Sequence, residues 1–107
     1  IEDARPGTPS PARRHLARVA ARQKRGGEAR ELLHEALLRN PNDAAAMLLL
    51  AKIYLDGNED PAMAELLARK SAGLHDRPEA WQTLARALRA LGREDEARVA
   101  DARALLA

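Results

Sequence analysis

Apolar residues recur along this chain at the spacing of helices, and the recurrences are cut by turn-forming residues. In GEARELLHEALLRN, Ala29, Leu32, Leu33, Ala36 and Leu37 fall on one face, the pattern of an amphipathic helix. The cuts are Gly26-Gly27, Asn40-Pro41-Asn42-Asp43, Asp56-Gly57-Asn58, Gly73, Arg77-Pro78 and Gly92, all residue types that end helices or open turns. Ser10-Pro11 and Asp60-Pro61 pair an N-cap side chain with proline at the first helical position. These signals predict six helices: from residue 11 to 24 or 25, then 27–40, 43–55, 61–73, 78–91 and 93–107. The short connections predict antiparallel hairpins. IEDARPGTPSP at the start, with three prolines, reads as a linker or tail over residues 1–10.

One stretch breaks the amphipathic rule. AMLLLAKIY, residues 46–54, places Met47, Leu48, Leu49, Leu50 and Ala51 consecutively, so apolar side chains spread around the whole helix axis. A helix with apolar groups on several sides is expected at the centre of a stack, with one side open to a groove.

Composition narrows the class to all-α. Hydrophobic residues make up 46% and charged residues 32%, with a single Trp, a single Tyr and no Phe. Leu and Ala, both strong helix formers, must therefore build the core, while the β-branched and aromatic residues that strands favour are scarce. Absence of cysteine excludes disulfides, thiolate metal sites and a cysteine nucleophile. No apolar run reaches membrane-spanning length, and the reading fits a soluble chain of the cytoplasm or the periplasm alike.

The helices repeat. Met47 and Trp81 are 34 residues apart, and Leu16, Leu50 and Leu84 share the next phase, each followed by alanine: Ala17, Ala51 and Ala85. Ala20, Tyr54 and Leu88 coincide further on, as do Ala29, Met63 and Ala97 on the following helices. A period of this length marks a helical-repeat array. These residues resemble the tetratricopeptide repeat family, whose unit is a 34-residue helical hairpin with Trp, then Leu-Gly/Ala, then Tyr on its first helix. The resemblance covers about residues 10–107. It implies three antiparallel hairpins, about 11–41, 42–75 and 76–107, stacked in a right-handed solenoid. Two positions depart from the pattern: Lys70 stands where a small residue is expected, and Asp101 where an aromatic one is.

By this resemblance first helices line a concave groove, and the domain is expected to be a non-catalytic module that binds a partner segment there. The implied groove residues are Arg14 and Arg18 from the first repeat, Leu48, Leu49 and Lys52 from the second, and Gln82, Arg86 and Arg89 from the third. Leu48 and Leu49 either look into the groove or fill a gap between repeats. An apolar floor with cationic walls suits a protein or peptide segment carrying leucines and acidic groups. The relatives that clamp a peptide's C-terminal carboxylate need Asn where Leu49 stands, and basic residues where Glu79 and Thr83 stand, so that mode is not expected. The composition and the Pro-rich start point to part of a larger, bacterial protein. The alternative is a structural scaffold that self-associates, or docks on its own parent chain, through Val99, Leu105 and Leu106 on an uncapped last helix.

Charge adds a third possibility and chemistry adds none. Residues 1–30 hold eight Arg/Lys against three Asp/Glu, and Arg13, Arg14, Arg18 and Arg22 on the first helix would suit nucleic acid. The lack of stacking aromatics and an acidic middle section disfavour it; a solvated arginine face is the plainer reading. Asp56-Gly57-Asn58-Glu59-Asp60 opens like a calcium loop but has Pro61 at the sixth position and Leu67 at the twelfth. His34-Glu35 lacks the second histidine of a zinc-protease helix, Leu38 standing there. No phosphate loop and no activated nucleophile is present. Neither an enzyme nor a cofactor is expected.

Overall fold

The computed structural model describes residues 26–107, and two of its helices begin at aspartates that cap them. The Asp43 carboxylate accepts a hydrogen bond from the Ala46 N–H at 3.1 Å and opens one helix; Asp60 accepts from the Met63 N–H at 3.0 Å and, with Pro61 behind it, opens the next. Five helices result among the described residues: α1 (Gly26–Arg39), α2 (Ala44–Asp56), α3 (Pro61–Leu74), α4 (Pro78–Ala90) and α5 (Glu94–Leu106). The first predicted helix, with Arg14 and Arg18, lies outside the described residues. Gly92 closes α4 at φ +76°, a left-handed conformation that glycine adopts without steric cost. Glu94, Asp95 and Glu96 fill the first turn of α5, where the helix dipole favours carboxylates.

Consecutive helices pack against each other throughout, and α2 also touches α4. By contrast, the backbones of α1 and α3, and those of α3 and α5, do not come together. The odd-numbered helices are thus splayed apart while α2 and α4 converge, so α2 and α4 form the inner layer of a curved stack. The core is built of Leu33, Met47, Leu50, Leu84 and Leu88 among alanines. Three alanines, Ala97, Ala100 and Ala104, are the buried residues of α5, and their small side chains let that helix approach α4 closely.

The second hairpin corrects the predicted register. A strict 34-residue phase aligns Met63 with Ala97 and puts Lys70 at a buried small-residue position. Instead Ala64 is fully buried, Met63 only partly, Lys70 is exposed and Ser71 is buried. The cause is one extra residue in the hairpin turn: Ala64 follows Tyr54 by ten positions, whereas Ala97 follows Leu88 by nine. Asn58, at φ 51°, sits in that longer turn, and asparagine is one of the few non-glycine residues that tolerate this conformation. The following connection is correspondingly one residue shorter, which restores the 34-residue spacing between Met47 and Trp81. Ser71 is well suited to its place: its hydroxyl donates to the Ala44 carbonyl at 2.9 Å, tying the end of α3 to the start of α2.

Candidate functional site

A recess opens between the N-terminal halves of α2 and α4, closed at the back by the end of α3. It has a volume of about 510 Å³. Leu48 and Leu49 form its apolar floor, both half-buried. Leu49 also packs against the core whereas Leu48 does not. The two alternatives for these leucines therefore divide: Leu49 both seals the gap between neighbouring hairpins and faces the recess, and Leu48 faces the recess alone. The run of leucines in AMLLLAKIY has its explanation in this double exposure, with Met47, Leu50 and Ala51 turned to the core.

The predicted cationic walls need correction. Each predicted groove cation among the described residues already has a carboxylate partner. Lys52 pairs with Glu79, Arg86 with Asp56 at 3.0 Å, and Arg89 with Asp101 and, at 3.1 Å, with Glu94. The hydrogen bonds that Arg89 donates to Asp101 first and to Glu94 second hold it still more firmly protonated than usual. Asp101 thus replaces the expected aromatic with an ion pair. Gln82 is exposed and contributes nothing to the recess lining.

Residues that sequence reasoning missed complete the rim. His75 and Arg77 lie in the connection between α3 and α4 and line the recess; Ser71 lies at its back. Their only signal was Arg77-Pro78, which marks a helix start and says nothing of a site. On the far side, Val99 borders a second, smaller recess of about 200 Å³ beside Trp81. Trp81 packs against the core; its indole N–H donates to Asp76, and Arg103 lies over the ring at 4.9 Å. Val99, Leu105 and Leu106 are 64%, 88% and 84% exposed.

The acidic turn is engaged in structure. Asp60 caps α3, Asp56 binds Arg86, and Glu59 pairs with Arg30. His34 Nε2 lies 3.2 Å from the Tyr54 hydroxyl; His15 is outside the described residues. Among the described residues no group of three or more potential metal ligands is assembled, and no helix is long and apolar enough to cross a membrane.

Antiparallel helix pairs stacked with a converging inner layer define the class of helical-repeat proteins. Within that class, residues 10–53 match the tetratricopeptide repeat family. No curated protein matches the chain. Tetratricopeptide repeats generally mediate protein–protein interaction and are typically non-catalytic.

Proposed function

We propose that this domain holds a segment of a partner protein against the inner face formed by α2 and α4, and that it comprises three repeats. The observation that carries the reading is the recess itself, where Leu48 is half-exposed on an inward-facing surface without being part of the core. An apolar floor within a polar rim is the usual form of a site for an extended or helical segment. The test is selection from a display library of random dodecapeptides on the immobilised wild type and on Leu48→Asp, both first shown to be folded by circular dichroism. The wild type enriches peptides and the variant does not. Equal enrichment on both, or none on either, would refute the groove.

A second reading, self-association or intramolecular docking through the end of α5, is favoured by one observation. Leu105 and Leu106 are adjacent and almost fully exposed, an uncommon arrangement for leucines with no partner surface.

A further inference from the structure

Charge in the recess is unevenly used, and this extends the groove reading on which it rests. Lys52 and Arg77 line the cavity with a single carboxylate, Glu79. That carboxylate is committed to Lys52. The other acid beside Arg77 in the chain is Asp76, and it is committed to the indole N–H of Trp81. Both of these acids therefore have other partners, and among the described residues Arg77 forms no ion pair. Arg77 lines a cavity whose floor is Leu48 and Leu49. The cations expected to make that wall, Arg86 and Arg89, are occupied elsewhere.

From this we infer that Arg77 is the anion anchor of the recess, and that its occupant is a peptide segment with an acidic side chain beside a leucine-like one. The apolar side chain rests on Leu48 and Leu49, and the carboxylate takes the two parallel N–H groups that a guanidinium presents. Lys52 adds a second, conditional contact. An incoming carboxylate exchanges with Glu79, which leaves the number of ion pairs unchanged and makes that contact weaker in net effect than the one to Arg77. A basic segment is disfavoured, because it meets two cations and a carboxylate already bound.

The closing experiment uses the same display selection, with the peptide C-terminus blocked by fusion so that only side-chain carboxylates are offered. Wild-type selection is expected to enrich Asp or Glu adjacent to Leu, Ile or Met. A synthetic peptide from the enriched set, its terminus amidated, binds Arg77→Gln about fivefold more weakly, the upper end for a partly exposed ion pair. It binds Lys52→Gln with a smaller loss, and Arg77→Glu selects peptides with Lys or Arg in the acidic position. Enrichment of apolar peptides without acids, or affinity unchanged in Arg77→Gln, overturns the anchor while leaving the groove in place. Enrichment only when a free terminal carboxylate is displayed overturns the side-chain assignment. Failure to enrich anything beyond the Leu48→Asp control overturns the groove and the anchor together.

Discussion

Exchanging the roles of two neighbouring residues on α3 gives the sharpest test of the fold. The repeat phase read from the sequence makes position 70 the buried small-residue site; the structure makes it position 71. Ser71 is 2% exposed, and its hydroxyl bonds the Ala44 carbonyl. Ser71→Lys removes that bond, a net loss of about 1 kcal/mol. It also forces a long side chain into a packed interface, which costs roughly 1–3 kcal/mol more. The ammonium cannot remain buried unpaired, so the stem must bend towards solvent near the end of α3 and displace its neighbours. The expected total, about 3 kcal/mol, is a large part of the roughly 5–15 kcal/mol by which a domain is stable. Ser71→Ala supplies a graded control at about 1 kcal/mol. Lys70→Ala, on an exposed site, changes stability by no more than about 0.5 kcal/mol. Urea unfolding followed by far-ultraviolet circular dichroism measures all three. A cooperative transition for Ser71→Lys at the wild-type midpoint, or a larger loss in Lys70→Ala, would refute the register described above.

Two further outcomes are expected. Gly92→Ala lowers stability by about 1 kcal/mol, because φ there is +76° while nothing lies within 4 Å of the added methyl group; an unchanged thermal midpoint would show that the α4–α5 turn is not left-handed. In sedimentation equilibrium over a concentration series, wild type and the double variant Leu105→Glu/Leu106→Glu are both monomeric if the groove is the working surface. An oligomer that the double variant dissolves would put self-association through α5 first.

What could be read from the sequence was local. Asp43, Asp60-Pro61, Pro78 and Gly92 each act on the backbone within a turn of themselves, and each bounds a helix as predicted. Leu48 and Leu49 stood out because five apolar residues in a row cannot all face one core. The register of α3 was hidden, because Met63 and Ala64 are both apolar and Met63 alone keeps the 34-residue phase; only packing chooses the smaller residue. The pairing of the cations was hidden for a different reason. Glu79 lies 27 positions from Lys52 and Asp56 lies 30 from Arg86, separations that no local pattern encodes, so a wall of free cations was the natural expectation from residue types alone. Arg77 was overlooked by the same logic: its lack of an ion pair among the described residues is a property of where Asp76 and Glu79 reach.

The turn that gains a residue before α3 and the connection that loses one after it act like a pair of cancelling frameshifts. Between them the outer helix is read one position late, yet α4 arrives in the same phase as α2. Inner and outer layers are therefore free to drift independently, provided each gain is matched by a loss before the next inner helix. Length variation in this architecture can then accumulate along the outer wall, where it alters which side chains meet solvent, such as Lys70 in place of Ser71. The inner face of α2 and α4 keeps its spacing.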